Sequence, residues 1–232
     1  MLGSDKGGTK MEKSKQPIIQ NSLRKEKFFS PHKMTLMALF SVLCYLLMLI
    51  RFPLPFMPPF MDFDLAGVPE LIGTFLLGPV EGVIIILIKI LLKTVTLGSS
   101  SAFTGEVMNF ILSCAFVLPA WFIYNLKRDK RHAVLGMITG TAVTTIFACF
   151  LNIYLIIPVY AKLFGFNMEA VIEMTKAVNP YIDSVSMLVI LGIVPFNIIK
   201  NGVASVIVLL LYKRVLRVLE RILHNNGVRR KG

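Results

Sequence analysis

Six apolar stretches dominate the pattern of this chain: Met34–Phe52, Val68–Gly78, Val80–Leu97, Gly105–Tyr124, Ala133–Val159 and Ser186–Lys213, separated by short polar or basic segments. A helix that crosses a bilayer needs about 20 mainly apolar residues. Every stretch but the second meets that length, and Val68–Gly78 is expected to borrow part of its crossing from the loop before it. The pattern therefore predicts an all-α integral membrane protein, a bundle of six transmembrane helices. The first apolar run is too long for a secretory signal and no small-residue cleavage site follows it, so it should stay as helix one.

Composition agrees with a membrane solvent. With 55% hydrophobic and 16% charged residues in 232, the chain lacks the polar surface that a soluble domain of this size requires. Three regions follow: a basic N-terminal arm (1–33), the membrane domain (34–214) with a lid loop at 53–67, and a basic C-terminal tail (215–232). The first ten residues, MLGSDKGGTK, have the composition of an appended tag, with Met11 read as the natural start, and carry no weight in the fold argument.

Charge then sets the expected orientation. If the N-terminus is cytoplasmic, the inner segments hold eight basic residues before helix one, four around Lys127–Arg131 and seven from Lys213 onward, nineteen of the 25 in the chain. That is the positive-inside pattern with both termini in the cytoplasm. The outer loops are poor in cations and carry Asp62, Asp64, Glu169, Glu173 and Asp183. The net charge of +12 is thus distributed as a topology signal, and without aromatic residues between the basic ones it does not read as a nucleic-acid footprint. Between Lys213 and His224, Val215, Leu216, Leu219, Ile222 and Leu223 share a face opposite most of the arginines, which predicts that helix six continues along the anionic inner surface.

Cys44, Cys114 and Cys149 each fall inside an apolar run, without ligand spacing, and read as small buried hydrophobes. His32, His132 and His224 lie one per inner segment beside basic residues, a poor arrangement for a metal. No phosphate-binding glycine loop, paired helical metal ligands or nucleophile elbow appears, so the chain is not expected to hydrolyse ATP or to act as an enzyme. No inverted repeat with broken helices argues for a self-sufficient transporter.

Polar side chains inside the spans are the candidate chemistry, because a charge at mid-membrane costs about 2.5–3.5 kcal/mol on insertion scales. They are Glu81, Lys89, Lys93, Glu106, Asn109, Asn152, Asn197, Lys200 and Asn201. Glu81, after Gly78-Pro79, reads as a solvated turn acid. Lys93 can snorkel, whereas the deeper Lys89 needs a carboxylate, for which Glu106 is the expected partner; a structural ion pair and a ligand contact both stay open for that group. Asn197 and Lys200 are three apart on helix six behind Pro195 and share a face. Asn152, followed by Tyr154, Pro158 and Tyr160, sits at a comparable level on helix five. One cation and two amides at one depth can donate to carbonyl oxygens and accept from an imide-like N–H, as a polar heteroaromatic ligand requires, although a polar helix–helix contact is the plainer reading of any one of them. The loop from Phe52 to Asp64 packs four prolines and four phenylalanines into thirteen residues. Stiff and greasy, it is expected to fold back as a lid with aromatic rings to stack on a flat ligand, or to wedge into the headgroup layer.

Four segments carry a family resemblance: MDFDLAGVPELIGTFLLGPVEGVIIILIKILL (61–92), GSSSAFTGEVMNFI (98–111), NIYLIIPVY (152–160) and PFNIIKNGVASVIVLLLYKRV (195–215). Over residues 34–214 the chain resembles the substrate-binding S components of energy-coupling factor (ECF) vitamin transporters, and among them the riboflavin-specific branch. That resemblance implies a bacterial plasma-membrane bundle that captures riboflavin from outside, with flavin mononucleotide as a further possible ligand. It implies that Asn152, Asn197 and Lys200 hydrogen-bond the pyrimidine edge of the ring, that Glu106 or Asn109 stands near the wall, and that lid residues Leu54, Phe56, Met57, Phe60, Met61 and Phe63 cover it. It implies a coupling transmembrane protein and two cytoplasmic ATPases as partners, docked on small residues of helix one, here Ala38, Ser41 and Val42, with the bundle toppling during transport. A sibling component for thiamine or pantothenate would share the fold, and a membrane enzyme would need an acid, base or metal cluster near one interface, which the sequence does not offer.

Overall fold

A computed structural model of the chain describes residues 30–55, 57, 61–99, 103–156 and 168–229. Each of the six apolar stretches is helical over most of its described residues. Helix α1 (Pro31–Leu49) starts with proline at its first position, where a missing N–H is harmless. Its inward stripe is Lys33, Met37, Ser41 and Cys44, spaced to stay on one face, while Leu39, Val42, Leu43 and Leu46 point outward and exposed. The proline-rich segment after α1 begins as a short strand, β1 (Phe52–Pro53), which pairs antiparallel with β2 (Asp62–Phe63) and sets Phe52 against Phe63.

Helix α2 (Gly67–Leu77) is buried at every position from Val68 to Leu77 and forms the axis of the bundle, which is why its eleven residues show no polar face. Gly78, at φ 134°, occupies backbone space that other residues rarely adopt, and Pro79 then opens α3 (Pro79–Leu97) in the reverse direction. The two helices meet closely: a Cβ on Gly82 would lie 2.2 Å from Thr74 Oγ1.

Helices α4 (Thr104–Lys127) and α5 (Lys130–Leu151) form a hairpin whose turn is capped by Asp129, the carboxylate accepting from His132 N at 2.7 Å. Small residues let them approach: a Cβ at Gly136 or Gly140 would come within 2.4 Å of Ala120 O or 2.3 Å of Phe116 O. A π-helical segment (Asn152–Ile156) extends α5. After α6 (Met168–Lys176) and the short α7 (Val185–Met187), a second π-helical segment (Leu188–Ile193) leads into α8 (Val194–Arg229). The helix thus continues into the basic tail, as the pattern after Lys213 predicts.

Large apolar side chains such as Leu39, Phe122, Ile146 and Leu210 cover the outside, the reverse of a water-soluble surface. Residues 31–49, 104–127, 130–155 and 185–211 are long and apolar enough to cross a membrane by length and composition; α2 is shorter. Helix α3 carries Glu81, Lys89 and Lys93. Inside, one apolar cluster fills the bundle around α2, and a second, made by Met61, Phe63, Ala148, Ile193 and Phe196, closes the β1–β2 end.

Two expectations change here. Glu81 is buried rather than solvated, because the first turn of α1 lays Lys33 over the Gly78–Pro79 turn and the two buried side chains form an ion pair. Ser41 is fully buried, its hydroxyl donating to Met37 O at 2.8 Å, so it is absent from the outward face where Ala38 and Val42 stand four residues apart.

Candidate functional site

Proline 195 shapes the site. Lacking an N–H and crowding the carbonyl one turn earlier, it cannot sit in a regular ladder, and the helix before it widens so that Val194 N donates to Val189 O, five residues back. The chain then presents Phe196, Asn197, Lys200 and Asn201, at three- and four-residue spacing, to one cavity of about 410 Å³. Residues from the β2–α2 segment, α2, α3, α4 and Asn152 at the start of the first π-helical segment complete the wall. The volume is within the range of small-molecule sites, roughly 300–1,000 Å³.

Asn152 and Asn197 are buried in matched settings, each amide Nδ2 donating to the carbonyl four residues earlier: Ala148 O at 2.7 Å and Ile193 O at 2.8 Å. With Nδ2 so engaged, the Oδ1 carbonyl is what each has to offer an incoming N–H. Lys200 brings the donor. Its ammonium binds Asp64 Oδ2 at 2.7 Å and lies 5.9 Å from the Phe196 ring centroid, so a carboxylate of the β2–α2 segment and an aromatic face hold it in place. Burial pushes the Asp64 carboxyl up, but the Lys200 charge, its hydrogen bond and the Ala66 N–H outweigh that and hold it below the usual carboxylate value.

Deeper, Lys89 pairs with Glu70 Oε1 at 2.5 Å and donates to Asn109 Oδ1 at 2.6 Å, both charged side chains almost fully enclosed. This corrects the expected Lys89–Glu106 pair. Helix α2 runs through the centre, so Glu70 is the nearer acid, and Glu106 instead takes Lys93 one turn further along α3 while accepting from Ser99 Oγ at 2.9 Å. Lys93 is therefore held by a carboxylate rather than snorkelling free.

Of the sequence-chosen site residues, Asn152, Asn197, Lys200, Glu106, Asn109 and Met61 line the cavity. Leu54 and Met57 pack, half-buried, on the closing cluster with Phe63. Tyr154 does not join them: it is 67% exposed and packs on Phe150 with ring centroids 4.7 Å apart, because the widened turn after Asn152 carries it outward. Phe56 and Phe60 lie outside the described residues. Sequence reasoning passed over Asp64 and Glu70, and Glu70 had a signal, as the only charge in Val68–Leu77. Met48, Met108 and Met174 also border the cavity, and Asn201 Nδ2 is buried there without a hydrogen-bond acceptor.

The family model for "ECF transporter, substrate-specific component" matches residues 32–212. The chain belongs to this family. This S component is 34% identical over 202 residues to the riboflavin transporter RibU of Staphylococcus aureus (strain TCH60), an alignment covering 87% of this chain and 100% of that one. It is 29% identical over 181 residues to the riboflavin transporter FmnP of Bacillus subtilis (strain 168), covering 78% and 90%. A solved structure described as "Structure and mechanism of the S component of a bacterial ECF transporter" superposes with a TM-score of 0.65 at 32% identity, over 81% of this chain and 97% of that chain. The S component is thus a membrane protein of a transporter family, and its cavity is the candidate for the substrate.

Proposed function

We propose that this S component captures riboflavin in the cavity between the β2–α2 segment and α8. The observation that carries the reading is the convergence of two buried amides and one held ammonium, Asn152, Asn197 and Lys200, on one partly apolar cavity. A flat ring with an imide edge offers an N–H for an Asn Oδ1 and carbonyl oxygens for Lys200, while Met61, Phe63 and Phe196 supply apolar surface beside it. The names of the relatives support the same substrate.

In this reading α1–α5 and α8 all cross the membrane, both termini are cytoplasmic and the β1–β2 end faces outward, supported by the nineteen basic residues on the other side. Riboflavin is the transported ligand rather than a cofactor. A coupling transmembrane protein, docked on the outward face of α1 around Ala38 and Val42, and two ATPases supply the energy, and the bundle topples to release its ligand inside. Protein purified from riboflavin-fed cells should carry flavin absorbance, and uptake into vesicles should stop without the ATPases. Colourless folded protein would refute the substrate, and undiminished uptake without the ATPases would refute the coupling.

A further inference from the structure

Among the described residues, every charged side chain that lines the cavity is matched by an opposite charge: Lys89 with Glu70 at 2.5 Å, Lys200 with Asp64 at 2.7 Å, Lys93 with Glu106, and at the more exposed rim Arg51 with Asp62 at 3.1 Å. Four cations face four anions, so the described lining carries no formal net charge. A ligand entering such a site meets hydrogen-bonding groups and apolar surface but no spare cation. An uncharged flavin loses nothing by this, since Lys200 has three N–H donors and can serve Asp64 and a ring oxygen together.

A phosphate monoester is a different guest. It carries about −1.5 to −2 charges at pH 7, and leaving water without an unpaired cation is costly. Each lysine it could approach already has a carboxylate beside it, which repels the newcomer. We propose that this pairing makes the site select riboflavin over its phosphorylated form, flavin mononucleotide, and that Glu106 and Asp62 are the specificity-determining residues. They neutralise Lys93 and Arg51, cations outside the ring-binding set that, unlike Lys89, are not fully enclosed. The inference rests on the riboflavin reading and deepens it.

Titration of detergent-purified wild type, Glu106→Gln and Asp62→Asn with riboflavin and with flavin mononucleotide tests the idea through the ratio of the two affinities, which cancels any general loss of fold. Wild type should favour riboflavin by about tenfold or more, an unpaired buried charge being worth at least that. At least one variant should narrow the ratio by roughly threefold or more, with flavin mononucleotide binding becoming more salt-sensitive as the freed cation meets the phosphate. Equal affinities in wild type, or a ratio unmoved in both variants, would overturn the proposal. Failure of folded wild type to bind either flavin would overturn the riboflavin reading, and the proposal with it.

Discussion

Lys200 binds Asp64 and, in the proposed reading, also a ligand edge. Lys200→Ala should weaken riboflavin binding by about 1–3 kcal/mol, the cost of a buried acceptor left unmatched; unchanged affinity in a binding titration would remove Lys200 from the site. The Asp64 carboxyl, depressed in the folded state, contributes stability that is present above its unfolded pKa and lost as pH falls through the folded one. Thermal unfolding followed against pH should therefore show an acid loss at the low end of the carboxylate range that disappears in Asp64→Asn. Glu70 and Lys89 are a sharper case, both enclosed and facing each other. Glu70→Gln alone should cost about 3–5 kcal/mol by stranding Lys89, and adding Lys89→Met should recover part of it. The lysines were legible in the sequence because a cation in an apolar run stands out. Their partners were not, since pairing depends on which helix occupies the centre, and no spacing rule within one helix reports that.

The elements follow from local sequence more directly than their packing does. Runs of about twenty apolar residues and the Gly78-Pro79 turn placed the long helices, and Pro195 pointed to loosened backbone beside Asn197. The sequence did not reveal that Val68–Leu77 lies at the axis, because a buried helix and a lipid-facing one are both apolar all round. Nor did it show that the turn after Asn152 carries Tyr154 away from the cavity. The α4–α5 hairpin offers a direct check on packing. Gly140→Ala should destabilise by about 1–3 kcal/mol, since the added Cβ meets backbone that cannot step aside. Gly202→Ala, in open space on α8, should be neutral or slightly stabilising in the same thermal assay.

At the scale of the whole molecule, an apolar exterior encloses a partly apolar cavity whose described charges are matched, an arrangement that suits the proposed capture of a flat, polar-edged ring within lipid. Orientation is accessible to labelling: a cysteine at Asp129, in a variant lacking the three native ones, should react with an impermeant maleimide only after cells are opened, as the charge distribution requires. Labelling of intact cells would place the α4–α5 turn outside and invert the account. The most direct test of its central claim is quenching of riboflavin fluorescence by detergent-purified protein, with thiamine and pantothenate as competitors. Tight, saturable quenching that neither competitor relieves is the expected result. Folded protein that leaves riboflavin fluorescence unchanged, or quenching that thiamine or pantothenate abolishes, would contradict it.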